Sequence, residues 1–278
     1  MKILVPLDGS GLSEVVLPWA KLLGSKVELM KSYMPLDNIK LSPELPITIA
    51  EMVNDMDVHK NVKKYLIRQA EKLDGPEVTV YCAIGQPADS ILLRSDEFDL
   101  VVMASHGHSG ITRWLLGSVT TKVVRAGTTP VLVVSARPDP RPRPAKLDTI
   151  FVPLDGSSTS ERSLAMATQL AQRFDAELIL YEGVVYRDRT PEEDDWQAIS
   201  GQEYLQARAK EMGDLKVKVV VHESRKGPEI CDQAEKYGAD LIVMGSHGRS
   251  GVSRFLLGSV TEGVVQSSQC PVLVVYDR

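Results

Sequence analysis

The sequence predicts a tandem α/β protein: two doubly wound, parallel-sheet domains of five strands each. Three observations predict it. Val5-Pro6-Leu7-Asp8-Gly9-Ser10 recurs unchanged as Val152-Pro153-Leu154-Asp155-Gly156-Ser157. Met103–Thr120 returns as Met244–Thr261 with 13 of 18 positions identical, and Pro130–Val134 returns as Pro271–Val275. Within each copy, short runs of Val, Ile and Leu alternate with helix-like segments. That is the pattern of strands covered on both faces and joined by right-handed crossovers. The offset is 147 at the first motif and 141 at the other two, so the halves differ by a net six residues between their matched ends. A period near 140 is too long for a solenoid and implies whole domains. They are placed at residues 1–136 and 148–278.

In the first copy the predicted strands are Lys2–Leu7, Lys26–Lys31, Val78–Cys82, Leu100–Met103 and Val131–Val134. Helices are predicted at Leu12–Leu23, Ile49–Leu73, Pro87–Arg94 and Ser118–Ala126. Gly24 suits a helix stop. Pro18 lies inside the first helix and must kink it or displace its start. In the second copy the strands are Thr149–Leu154, Glu177–Tyr181, Lys216–Val221, Leu241–Met244 and Val272–Val275. Its helices are Ser160–Arg173, Pro191–Met212, Pro228–Tyr237 and Ser259–Ser267. Between the copies, Arg137-Pro138-Asp139-Pro140-Arg141-Pro142-Arg143-Pro144 favours polyproline II, and residues 137–147 read as a semi-rigid tether.

Composition narrows the function classes. Of 278 residues, 43% are hydrophobic, 25% charged and 5% aromatic, which supports sizeable cores and excludes general disorder. The net charge of −5 gives no electrostatic footprint for nucleic acid. It is unevenly spread: residues 1–136 carry 14 basic and 15 acidic side chains, residues 137–147 four and one, and residues 148–278 14 and 21. Cys82, Cys231 and Cys270 form neither a disulfide framework nor a zinc pattern, and suit a reducing compartment. Cys231 and Cys270 read as small buried apolar residues. The sequence has no apolar run near the roughly 18 residues of a membrane helix, and only five residues separate Lys2 from Asp8, too few for a signal-peptide apolar region. A soluble, cytoplasmic protein with no membrane partner is expected.

The candidate site lies on two loops per half, where strands of an open α/β sheet end. One is Asp155-Gly156-Ser157, with Asp8-Gly9-Ser10 as its counterpart. The other runs from Gly245-Ser246-His247-Gly248 to Gly258-Ser259, just before a helix. Glycine lets a ligand approach the backbone closely, and a helix opening with Gly-Ser offers free N–H groups and a positive dipole end to phosphate. An aspartate on the other loop accepts from an amino group or hydroxyl. The sequence contains neither GxxxxGK[ST] nor a GxGxxG after a strand, so the P-loop and dinucleotide readings fail.

The combination is more specific than any single loop. Gly245-x2-Gly248-x9-Gly258-Ser259, followed by Cys270-Pro271-Val272-Leu273-Val274-Val275, resembles the ATP-binding branch of the universal stress protein family; so does the opening Val-Pro-Leu-Asp-Gly-Ser. The resemblance covers both halves and implies an adenine-nucleotide α-hydrolase-like fold. It also implies that Asp155 meets the adenine side. Ribose and phosphates would fall to Gly245, Gly248, Gly258 and Ser259, with Pro153, Met244, Val260 and Thr261 as neighbouring backbone, often with Mg²⁺ or Mn²⁺. In the first half the same roles fall to Pro6, Asp8, Gly107, Gly117, Ser118, Val119 and Thr120. Ala104 stands where the first motif glycine belongs. Its methyl either crowds the nucleotide or is harmless, and tighter binding by the second half is expected.

Arg254 and its counterpart Arg113 lie inside the nine-residue stretch, as phosphate-reaching cations or solvated loop charges. Arg249 is the next candidate, with His108 opposite. His247 and His106 read as residues that orient the loop more than as general acids or bases, and Ser10 and Ser157 as N-caps. Met34–Ala50 and Gly183–Ser200, with the acidic run Glu192-Glu193-Asp194-Asp195, are where the halves differ most, as variable loops do. The resemblance further implies that the terminal strands pair within one molecule, making an internal pseudo-dimer, with a homodimer as a further association. An ATP-binding, stress-associated regulator is the leading expectation. The alternatives are a slow ATP hydrolase, for which Walker lysine, SGGxDS loop and paired catalytic residues are all missing from the sequence, and a nucleotide-free interaction module in the first half.

Overall fold

The computed structural model describes residues 1–34, 49–106, 116–136, 144–185, 191–224, 229–248 and 257–277. In the first half β1 (Lys2–Pro6) leads through a 3-10 turn (Ser13–Val16) into α1 (Leu17–Leu23). Then follow β2 (Lys26–Tyr33), α2 (Ile49–Ala70), β3 (Glu77–Ile84), α3 (Pro87–Ser95), β4 (Leu100–Ala104), α4 (Ser118–Ala126) and β5 (Val131–Val134). The second half repeats the series: β6 (Thr149–Pro153), α5 (Ser158–Phe174), β7 (Glu177–Val185), α6 (Pro191–Glu211) and β8 (Val217–Ser224), then α7 (Ile230–Lys236), β9 (Leu241–Gly245), α8 (Ser259–Ser267) and β10 (Val272–Val275).

The strands form one sheet in the order β3-β2-β1-β4-β5-β10-β9-β6-β7-β8. Pairing is parallel within each half. The junction is antiparallel: β5 meets β10 with Leu132 opposite Leu273. The expected pairing of terminal strands thus fuses two five-stranded sheets and removes two edges that would otherwise stay open. The junction is braced from both sides. Tyr276 donates its hydroxyl to the Val124 carbonyl at 2.7 Å, and Arg173 reaches the Leu23 carbonyl at the end of α1 at 2.8 Å.

Strand side chains alternate between two cores because their period is two. Ile3 and Val5 pack with residues of α1 and α2, and Val152 with α5 and α6. Leu4, between Ile3 and Val5, faces the other way, toward residues of α3 and α4, while Phe151 packs with α7 and α8. Helices therefore cover both faces, and β4 and β9 are buried along their whole length.

Most predicted elements lie within a few residues of their places. The first helix is the instructive departure. Pro18 has no N–H to give to the residue 14 carbonyl, and its ring crowds that turn. The chain answers with the 3-10 turn over Ser13–Val16 and starts α1 only at Leu17, with Pro18 in the first turn, where proline is tolerated. The second copy has Ala165 there, and α5 runs unbroken from Ser158, capped by Ser157. Gly24 ends α1 as expected, since a Cβ there would lie 2.7 Å from the Ala20 carbonyl oxygen. Two readings need correction. Cys270 is buried, but Cys231 is only partly so. Leu147, read as the end of the tether, is buried in the core, while residues 137–143 fall outside the described residues.

Burial raises the pKa of four tyrosines, Tyr65, Tyr181, Tyr204 and Tyr276, above the ordinary 10.0. Nearby carboxylates (Glu14, Glu229 and Glu161 respectively) add to the effect in the first three. Well below pH 10.0 neither folded nor unfolded chain ionises these groups; as pH rises through 10.0 the unfolded chain ionises first, so stability is lost. Lys31, lowered by its own burial, works in the opposite sense, while Cys82, raised by burial, and Lys146, raised by Asp148 and Asp240, act in the same sense as the tyrosines. The urea midpoint is expected to fall between about pH 9 and about pH 11. An unchanged midpoint contradicts this account.

Candidate functional site

Strand order in each half reverses between β1 and β4, and between β6 and β9. Chains leaving the carboxyl ends of these strands turn opposite ways and leave a crevice. A cavity of about 270 Å³ lies there in the first half and one of about 240 Å³ in the second.

One wall is the aspartate loop. Asp155 follows β6, and its Oδ1 accepts from the Ser157 amide at 3.0 Å and the Ser157 hydroxyl at 2.6 Å. The Ser157 hydroxyl oxygen in turn accepts from the Ser160 amide at 3.2 Å, capping α5. Carboxylate, serine and helix start are thus locked together. The first copy reproduces this, with the Ser10 amide and hydroxyl on Asp8 Oδ1 at 2.8 and 2.6 Å, and it adds Lys31, which donates its ammonium to the Asp8 carbonyl. The capping role expected of Ser157 holds; Ser10 accepts from the Ser13 amide at 3.2 Å but is not the N-cap expected of it, because the 3-10 turn there begins after Leu12 and has no side-chain cap.

The opposite wall is the glycine-bounded helix start. A Cβ at Gly258 would lie 3.2 Å from the Ser246 carbonyl oxygen and 3.5 Å from His247 Cα. The Gly117 site has the same 3.2 and 3.5 Å to Ser105 and His106. Close backbone approach is the reason for glycine here. Thr261 and Thr120 pin the arrangement by donating their hydroxyls to the Gly245 and Ala104 carbonyls, both at 2.8 Å. Neither α8 nor α4 has a side-chain cap. The first intrahelical bonds are donated by Glu262 and Thr121, so the amides of Ser259, Val260 and Thr261, and those of Ser118, Val119 and Thr120, have no intrahelical acceptor among the described residues. All six residues line their cavities.

Gly248 faces the aspartate: a Cβ there would sit 2.5 Å from Asp155 Oδ2. Gly245 faces elsewhere. A Cβ there would meet Thr159 of α5 at 2.9, 3.0 and 3.1 Å. Crowding of a ligand, one of the outcomes expected for the methyl of Ala104, is therefore not what the missing methyl of Gly245 answers to.

His247 Nδ1 bonds the Ser246 hydroxyl at 2.9 Å, and His106 Nδ1 the Ser105 hydroxyl at 3.0 Å. Ser105 Oγ also accepts from the Ala136 amide at 3.0 Å. Each ring is thereby tied to the strand-end loop.

Pro153, Asp155, Met244, Gly245, Gly248, Gly258, Ser259, Val260 and Thr261 all line the second cavity. Pro6, Asp8, Ala104, Gly117, Ser118, Val119 and Thr120 line the first. Gly107, His108, Arg113, Arg249 and Arg254 lie outside the described residues. The sequence reading missed the inner walls, where Met30 and Ser32 of β2 stand against Tyr181 and Gly183 of β7. No motif marks them; only the pairing of Pro6 with Met30 and Pro153 with Tyr181 places them there.

Fold and clefts together define a tandem, Rossmann-like α/β protein with a ligand crevice at each switch point. The chain belongs to the universal stress protein family, whose pattern matches residues 1–135 and 146–276. A universal stress protein of Methanocaldococcus jannaschii is 40% identical over 137 residues, 45% of this chain and 80% of that one. One from Mycobacterium tuberculosis is 27% identical across 98% of this chain and 96% of its own. The crystal structure of a universal stress protein from Archaeoglobus fulgidus has the same fold, with a TM-score of 0.72, 23% identity and coverage of 99% and 98%. Among the described residues, no helix is long and apolar enough to cross a membrane.

Proposed function

We propose that the chain is an ATP-binding stress-response regulator whose nucleotide occupancy alters its conformation or association. The observation that carries this reading is the second cavity, in which the amides of Ser259, Val260 and Thr261 and the carboxylate of Asp155 share one small space. Phosphate oxygens would take the helix amides. An adenine amino group would donate to Asp155, beside Gly248, where a side chain would displace that carboxylate. Mg²⁺ or Mn²⁺ would be carried on the phosphates. No group of three His, Cys, Asp or Glu that could hold an ion by itself stands among the described residues. Arg249 and Arg254 would supply cations to the same phosphates.

A route from occupancy to conformation runs through α8. Glu262 lies in its first turn and pairs with Arg125 in the last turn of α4, across the junction, at 2.5 Å. The test is to denature the purified protein, identify released nucleotide by mass spectrometry, and measure turnover of added ATP. Bound adenine nucleotide with negligible turnover supports the regulator. Rapid metal-dependent turnover would replace it with the hydrolase, and no adenine nucleotide in any preparation would leave an interaction module.

A further inference from the structure

We propose that the groove between α7 and α8 is a docking surface for another protein, and that it takes a helical segment carrying lysine or arginine beside apolar anchors. The groove measures about 530 Å³, about twice either cleft, and abuts the second one, with which it shares Ile230 and Val260. Its α8 wall is Val260, Gly263, Val264 and Ser267. These are spaced i, i+3, i+4 and i+7, so the wall follows one helix face for about 10 Å. Facing them on α7 are Cys231 and Asp232, with Glu229 just before the helix.

The first half shows what fits such a place. Ile91 and Ile230 line their two cavities at an offset of 139, so Leu92 corresponds to Cys231, while the offset of 141 in the next helix sets Lys122 against Gly263. Leu92 packs against the core on that face, and Lys122 reaches from α4 to Asp89 of α3 at 2.6 Å. An apolar side chain and a cation thus tie α3 to α4. The second half replaces both with smaller groups. Val260 is left 45% exposed, whereas its counterpart Val119 is partly buried against the core.

Nothing inside the fold requires glycine at 263. The residue lies within α8, where glycine costs helix stability. Its backbone is not left-handed, and a Cβ there would meet nothing within 4 Å. What glycine offers here is close approach from outside. An incoming helix can lie near the α8 backbone with its apolar side chains on Val260. Glu229 and the exposed Asp232 supply the negative charge that Asp89 supplies in the first half. Glu229 also meets His222 Nε2 at 3.1 Å. No lysine or arginine lines the groove among the described residues, so the cation comes with the partner. The acidic excess of residues 148–278, 21 against 14, favours the same partner over nucleic acid or an anionic membrane.

The test is to select a phage-displayed library of helical peptides on the full chain, without added nucleotide, and to measure the recovered peptides by fluorescence anisotropy. They are expected to carry Lys or Arg beside apolar residues three or four positions apart. Gly263→Leu, which fills the groove without repelling a cation, is expected to weaken them at least tenfold, and Asp232→Asn about threefold. Both changes face solvent, so folding is not at risk. Gly263→Ala is expected to raise Tm by about 2 °C. Recovered peptides that bind Gly263→Leu as tightly as wild type, or that are acidic or uncharged, overturn the inference, as does a selection that enriches nothing. A fall in Tm on Gly263→Ala gives the glycine an internal role and overturns it too. The inference stands apart from the proposed function: a chain that binds no ATP sinks that reading and leaves this result untouched.

Discussion

Gly248→Val is expected to abolish ATP binding at the second cleft, weakening it by about a hundredfold or more. The reason is a single contact. A Cβ at 248 would fall 2.5 Å from Asp155 Oδ2, and a short carboxylate pinned at its other oxygen by the Ser157 amide and hydroxyl cannot swing aside freely. To admit the valine, Asp155 must give up those bonds, and with them the cap on α5 and its own aim across the cleft. The loss should be confined to one site, since Gly248 lines the second cavity. A dialysis experiment showing both sites lost, or neither, would contradict this chain of contacts.

The second large effect concerns stability. Leu132 and Leu273 are almost completely buried and stand opposite each other in the one strand pair that joins the halves. Truncating either to alanine is expected to cost about 2–5 kcal/mol, the usual range for a fully buried leucine. Because the two side chains occupy facing positions, the double variant should cost less than the sum of the singles. Urea unfolding of the four proteins in the cycle measures this. Strict additivity would mean that each leucine packs only within its own half, with the junction contributing little.

Much of this architecture is legible in the sequence, for identifiable reasons. Strands buried on both faces need runs of Val, Ile and Leu, and those runs are visible without any alternation to interpret. The repeat then supports each element with a second copy: a segment such as Val131–Val134 has a twin at Val272–Val275. The site is legible where backbone geometry dictates residue type: glycine at 117, 248 and 258, and serine after Asp-Gly. It is illegible where neighbours come from other strands, as Met30 and Tyr181 do. The sequence is least legible at Ala104, where crowding and harmlessness both stay open. A motif treats every glycine as a statement about ligand, but Gly245 is a statement about Thr159, and only the three-dimensional position of α5 reveals it. Pro18 marks a disturbed helix in the sequence; its consequence for Ala104, a strand residue 86 positions away in the chain that packs beneath the 3-10 turn, leaves no local mark.

The charge distribution takes on meaning in the same way. The net excess of acidic residues falls mainly in the second half, where the complete motif lies, so long-range attraction offers an anion no help there. Recognition would have to come from oriented amides and a helix end, which act at short range.

Hydrogen exchange of the full chain with and without MgATP tests the central claim most directly, because it reads those amides one segment at a time. The account predicts strong added protection at Ser259–Glu262 and at Ser118–Thr121, with a smaller change at the Asp155 and Asp8 loops. Nucleotide binding that leaves both helix starts unprotected, or protects only surfaces away from the two clefts, would contradict it.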